Sequence, residues 1–229
     1  FTEKTQELRI VSQYTVERFN INPFDFVLEI YTNDLPFDYR GEDIADLAPY
    51  LKPQYPEDQA AVHEWLKRFL DTQGRGKTLE FLLELNEFIA ANFGYGVREE
   101  PGVQRPAETL ALGTGCCRDF ALLLMEAARH MGLAARYVSG YLCSSDETEA
   151  EVAANATHAW TEIYLPGGGW KGFDPTCGIL AAGLHVRVAA TRNPAQATPI
   201  RGSYLGDASL FKDMSVHIDA GVIKPTSTS

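Results

Sequence analysis

Positive charge is scarce in this chain: 20 Lys and Arg stand against 31 Asp and Glu in 229 residues, a formal net charge of -11. Nucleic acid and anionic membrane surfaces would both repel it, so neither is expected as a partner. Long hydrophobic runs are missing as well. None approaches the roughly 20 residues that a membrane span needs, although the 45% hydrophobic and 11% aromatic content suits a globular core. No basic-then-apolar leader opens the sequence; it starts on Phe1, which reads as a trimmed chain and leaves a removed leader open. Cysteine is confined to Cys116, Cys117, Cys143 and Cys177, with no Cys-x-x-Cys metal spacing. Adjacent cysteines make a strained disulfide, and only the even count favours a Cys143–Cys177 bridge. Reduced thiols and a cytoplasmic location are expected.

What is present is organised around Gly113-Thr114-Gly115-Cys116-Cys117-Arg118-Asp119, a glycine-loosened turn that becomes a helix. Phe120, Leu124, Ala127, Ala128 and Met131 recur at helical spacing, and Gly132 supplies a stop signal. Counting back along that face places Cys117 on it and Cys116 about a quarter turn away. A cysteine in a helix's first turn feels the positive end of the dipole and unpaired N–H groups, which favour thiolate and can hold an oxyanion. A buried cysteine is also an ordinary small hydrophobe, so the turn alone decides little. Further on, His158 lies in a strand-like Thr-His-Ala-Trp run and Asp174 in Asp-Pro-Thr. Cys, His and Asp in that order, each at the edge of an element, are what a thiol–imidazole–carboxylate site needs.

The stretches GTGCCRDFALLLMEAARHMGLAARYVSGY, THAWTEIYLPGGGW and GFDPT together resemble the transglutaminase-like cysteine protease family of bacteria, across roughly residues 78–176. The resemblance implies a papain- or transglutaminase-like core with its nucleophile at a helix N-terminus. It implies Cys117 as nucleophile, His158 as base and Asp174 as the carboxylate that orients the base. It also implies a β-rich region before the catalytic part, and residues 1–35 are expected to be its remnant, with the core at 36–182 and C-terminal strands at 183–229.

Residue patterns fill in the rest. Leu8, Ile10, Tyr14 and Val16 alternate with polar residues, so residues 7–19 and then 26–31 are strand candidates. A short helix or turn is expected over 43–51, and helices after Pro56-Glu57-Asp58 and from Thr78, which can cap one. Residues 101–106 read as a loop, from which Tyr95, Gln104 and Thr109 are candidates for lining the cleft or simply for loop polarity. Strands follow at 135–143, 157–165, 170–174, 185–189 and 213–220. The acidic stretch 144–156 reads as an exposed loop and a candidate lid, and the Pro-Thr-Ser end as a frayed tail. Asp119 is expected to cap the cysteine helix and Arg118 to form an ion pair. His185 and His217, lacking a partner motif, read as structural or exposed.

Pro166-Gly167-Gly168-Gly169 marks a hairpin turn. A four-residue loop pairing Leu165 with Trp170 would put His158 and Asp174 on opposite faces. The triad therefore demands an odd-length loop or a bulge. Helices followed by strands give α+β, helices packed on an antiparallel sheet. The expected activity is cysteine-dependent hydrolysis of peptide or amide bonds through a thioester, acting on a peptide or protein substrate. The rivals are transglutaminase-type transfer to an amine and a non-catalytic binding module on the same fold. No cofactor is implied, and no calcium-spaced loop is present. Substrate sequence and oligomeric state are not set by these residues.

Overall fold

Start signals and apolar stripes coincide in the first half of the chain. The computed structural model describes residues 3, 5–17, 19, 22–73, 76–143, 157–200, 202–203 and 205–219. Helix α1 spans Asp43–Leu51, α2 Gln59–Gln73 and α3 Thr78–Asn92. A 3-10 turn at Pro56–Asp58 leads into α2, with proline and two acids where a helix start favours them. Val62, Leu66 and Phe69 of α2 are buried with Phe81, Leu82, Leu85 and Ile89 of α3 in one core. Thr78 is the first residue of α3 rather than its cap; Lys77 holds that position, and Glu80 reaches back to its N–H.

Strand β1 (Gly94–Tyr95) pairs in parallel with β2 (Thr114–Gly115). Between them lies α4 (Pro106–Leu112), which the sequence pattern had hidden in a loop. Pro106 opens it, where a missing N–H costs nothing, and Gly113 closes it at φ 65° in the left-handed region.

Helix α5 (Cys117–His130) is buried on nearly every side, as a helix running through a core must be. Its interior charges are matched. Glu126 and Arg129, both fully buried, pair at 3.2 Å. Glu126 also accepts the N–H groups of Gln54 and Tyr55, and Arg129 donates to the carbonyls of Ala135 and Arg192. Gly132 ends the helix at φ 80°.

The remaining strands are β3 (Ala135–Leu142), β4 (Thr157–Leu165), β5 (Gly169–Asp174), β6 (Ile179–Leu180) and β7 (His185–Thr191). They form one antiparallel sheet in the order β6-β5-β4-β3-β7. Ala159, Ile163 and Leu165 of β4 join the core beneath α5, and Thr161 bonds to that helix. His158, Trp160 and Glu162 therefore look away from α5. The result is α+β, helices on one face of an antiparallel sheet.

Several expected strands do not form. Residues 7–17 and 26–31 carry no strand among the described residues, and the latter stretch ends in a 3-10 turn at Ile30–Thr32. Alternation supplies a face, but a strand also needs a neighbour's backbone. Leu8, Ile10, Tyr14 and Val16 remain more than half exposed. Residues 213–219 are likewise without strand, while 220 lies outside the described residues, as do the 144–156 loop and the Pro-Thr-Ser tail. No helix among the described residues is long and apolar enough to cross a membrane.

Candidate active site

The hairpin register decides whether His158 and Asp174 can meet. Leu165 pairs with Gly169, not with Trp170, so three residues, Pro166, Gly167 and Gly168, make the connection. Thr161 then faces Phe173. Asp174 consequently lies on the same face as His158. The two side chains are hydrogen-bonded, His158 Nε2 to Asp174 Oδ2 at 2.7 Å. A carboxylate can only accept, so Nε2 carries the proton and Nδ1 is the ring nitrogen left for a thiol.

Asp174 is fully buried yet fully partnered. Its Oδ1 accepts the N–H of Thr176 at 3.0 Å, and its Oδ2 accepts a second imidazole, His185 Nε2, at 2.9 Å. Burial is the largest single influence on this carboxyl and works to raise its pKa. The bonds and charges of His158 and His185 outweigh it and hold the group well below the ordinary carboxylate range. His185 is 2% exposed and belongs to this cluster, so of its two expected descriptions it is not the exposed one. No motif marks it in the sequence; only the pairing of Leu142 with His185 across β3 and β7 brings it here.

Cys117 begins α5, and its sulfur reaches β4 beyond the end of β5. The N–H of Tyr164 points toward the β3 side, bonding Ala134 at 2.9 Å. By alternation the N–H of Ala159 points toward β5, whose last residue is Asp174. The Cys117 sulfur occupies the gap, where the Ala159 N–H stabilises its thiolate. The structure thus joins His158 to Asp174 directly and holds the Cys117 sulfur against the next residue of the His158 strand. Thiol and imidazole are not themselves hydrogen-bonded.

Cys116 caps the helix, and its environment is more elaborate than the sequence implied. Asp119 accepts the Cys116 N–H at 2.9 Å and its S–H at 3.2 Å, as well as Arg98 at 2.8 Å and the Gln104 N–H at 2.7 Å. The capping role expected of Asp119 is seen. Arg118 pairs with no carboxylate among the described residues; it donates to the carbonyls of Arg98 and Glu100 and to the Cys116 sulfur. Gln104 and Thr109 are buried and bonded to each other at 3.2 Å, so they brace the site rather than line a cleft. Tyr95 is 57% exposed, with its ring against Phe120 beneath the cysteine turn.

The two adjacent sulfurs act on each other. Hydrogen bonding from the Cys117 thiol draws Cys116 down to about 6, helped by Arg118 and opposed by burial and Asp119. The same contact, with burial, pushes the Cys117 thiol up. The pair therefore carries one charge between its two sulfurs, because two charges cannot be buried side by side. All four cysteines are unpaired.

His158, Asp174 and His185 bring nitrogen and oxygen atoms within 4.8 Å of one another. Both imidazoles aim Nε2 at one carboxylate oxygen, so the two Nε2 atoms carry protons and the cluster is held together by hydrogen bonds. Trp160 and His185 also line a cavity of about 390 Å3 on the outer sheet face, with Glu162, Trp170, Arg187 and, from the N-terminal segment, Val16.

A sequence model of the transglutaminase-like superfamily core matches residues 53–175. An uncharacterized protein of Mycobacterium tuberculosis is 31% identical over 192 residues, which cover 80% of this chain and 58% of that one. Another, from Mycobacterium leprae, is 33% identical over 105 residues, covering 45% of this chain and 37% of its own. The chain thus spans about half the length of the curated relatives it matches. Among solved structures, a candidate cysteine protease from Cytophaga hutchinsonii superposes with a TM-score of 0.55 at 24% identity, over 70% of this chain and 50% of that one. That likeness is one of fold.

Proposed function

Because this chain belongs to the transglutaminase-like superfamily, we propose that it is a cysteine-dependent enzyme that hydrolyses peptide or amide bonds, with Cys117, His158 and Asp174 as its catalytic residues. The observation that carries the proposal is the 2.7 Å bond between His158 and Asp174, beside a cysteine that opens the central helix. The bond commits Nε2 and leaves Nδ1 as the base.

The chemistry follows from those positions. The negative charge formed at the sulfur pair passes to Cys117 by a proton shift between the two sulfurs. Asp119, accepting the Cys116 S–H, favours that arrangement, as does the Ala159 N–H at the Cys117 sulfur. A turn of the His158 ring or the Cys117 side chain brings Nδ1 to the sulfur pair, and Nδ1 takes up the proton that the pair gives up, leaving Cys117 as thiolate and His158 as imidazolium. The thiolate attacks the substrate carbonyl, and the oxyanion meets the N–H groups of Cys117 and Arg118 at the start of α5, positions without an intrahelical acceptor. His158 gives its proton to the departing amine as the C–N bond breaks, leaving a thioester on Cys117. It then takes a proton from water, whose oxygen displaces the sulfur and releases a carboxylic acid.

Transfer to an amine uses the same thioester and differs only in the acceptor. The reading further places a peptide or protein as substrate, the catalytic core at 36–182 and the enzyme in a reducing, cytoplasmic setting, where four unpaired cysteines are stable. Incubation with a glutamine-bearing peptide library, followed by acid quench and intact-mass measurement, tests it. A thioester adduct that maps to Cys117 and disappears in Cys117→Ala is expected. Adducts that persist in that variant would overturn the assignment, and an added primary amine separates hydrolysis from transfer.

A further inference from the structure

We propose that His185 is a positioning residue of this site, locking the Asp174 carboxylate in the orientation that presents it to His158. The inference rests on the reading above and adds a fourth residue to it. Its basis is geometric. His185 Nδ1 faces the N–H of Ala182 at 3.3 Å. A backbone N–H can only donate, so Nδ1 holds the lone pair and Nε2 holds the proton. That N–H lies 2.9 Å from Asp174 Oδ2, the same oxygen that serves His158.

The ring is fixed as well as polar. Trp160 stands edge-on to it at 5.2 Å between centroids, and His158 lies 6.0 Å away. Asp174 therefore has one oxygen anchored by the backbone at Thr176 and the other shared between two imidazoles. It cannot rotate toward either ring without loosening the other contact. The groups that face it are His158 from β4, His185 from β7, the Cys117 thiol from α5 and Cys177 from the turn after β5. Among the side chains, the bonds of the two histidines are the largest influences that keep the carboxyl ionised against its burial, beside the backbone N–H of Thr176.

A donor that keeps Asp174 ionised has a pH signature. When it is removed, the carboxyl takes up a proton at a higher pH, so function that needs the anion is lost earlier on acidification. The test needs no known substrate. Alkylation of Cys117 by iodoacetamide is followed against pH and assigned by fragment mass spectra. It is run on the wild type and on His185→Gln, whose amide N–H can replace Nε2–H, and His185→Asn, whose shorter amide cannot reach. We expect the Gln variant to keep the acid limb of the wild type and the Asn variant to shift it to higher pH, with both folded by circular dichroism. His185→Leu should shift at least as far as Asn.

A residue that merely packs would lower the melting temperature in these variants and leave the acid limb in place. Equal acid limbs in the Gln and Asn variants would overturn the inference. His158→Ala and Asp174→Asn separate the two levels. If they slow Cys117 alkylation while the His185 variants do not, only the inference fails. If they too leave it unchanged, the triad reading itself fails.

Discussion

The Thr161 hydroxyl donates to the carbonyl of Ala121 at 2.6 Å, tying β4 to α5 in the buried interior. Thr161 lies three residues beyond His158, and Ala121 lies four beyond Cys117. This contact therefore sets how the strand of His158 sits on the helix of Cys117. Thr161→Val keeps the shape and removes the donor. The expected loss is about 1 kcal/mol, the net worth of one buried hydrogen bond, read from the urea midpoint. A slower Cys117 alkylation should accompany it, because the helix is then free to slide on the sheet. A variant of unchanged midpoint and unchanged thiol reactivity would show that apolar packing alone fixes the distance.

Cys116 makes a prediction with a definite sign. Its sulfur is the largest influence raising the Cys117 thiol, ahead of burial. In Cys116→Ala that influence disappears while the Ala159 N–H stays. Cys117 should then ionise at a lower pH, and its alkylation rate should rise earlier on the pH axis than in the wild type. Stopped-flow thiol titration checks this. An onset moved to higher pH would mean that Cys116 assists ionisation of its neighbour rather than competing with it.

Inside α5, Glu126 and Arg129 are paired with no solvent contact, and each also holds backbone groups of other segments. Removing either partner strands a buried charge. Glu126→Ala and Arg129→Ala should each cost about 3–5 kcal/mol, measured by chemical denaturation. Replacing both by apolar residues of similar volume should cost less than the sum of the single changes. Additive losses would show that the bonds to Gln54, Tyr55, Ala135 and Arg192 matter more than the ion pair.

Legibility in the sequence followed the range of each signal. Helix α5 and the β4–β5 hairpin were readable because their cues are local: an apolar stripe ended by Gly132, and glycines after Pro166. The three-residue connection was a demand of the proposed triad, and the pairing of Leu165 with Gly169 has that form. Local cues misled where a partner was needed. Leu8, Ile10, Tyr14 and Val16 alternate like a strand but find no backbone to pair with among the described residues. Pro106 read as a loop residue, yet proline suits a helix start equally well, and α4 begins there. His185 was the least accessible, since its meaning depends on β7 returning beside β3, some fifty residues away in the chain, to reach Asp174.

That return depends on a glycine. The β3–β7 register shifts between Ser139 and Gly140, and a Cβ built on Gly140 would stand 2.0 Å from the carbonyl oxygen of Val186 and 2.9 Å from the Trp160 ring. The first neighbour is backbone and cannot swing aside, so Gly140→Ala must push β7 off β3 next to His185. The expected cost is at least about 1–3 kcal/mol from overpacking, read as a lower melting temperature. Gly96→Ala, where the added carbon meets nothing within 4 Å, serves as the contrast and should change little. The displacement should also draw His185 from Asp174, so the acid limb of Cys117 alkylation should move to higher pH in Gly140→Ala and not in Gly96→Ala. If Gly140→Ala lowers the melting temperature but leaves that limb in place, the β3–β7 contact stabilises the fold without governing the site.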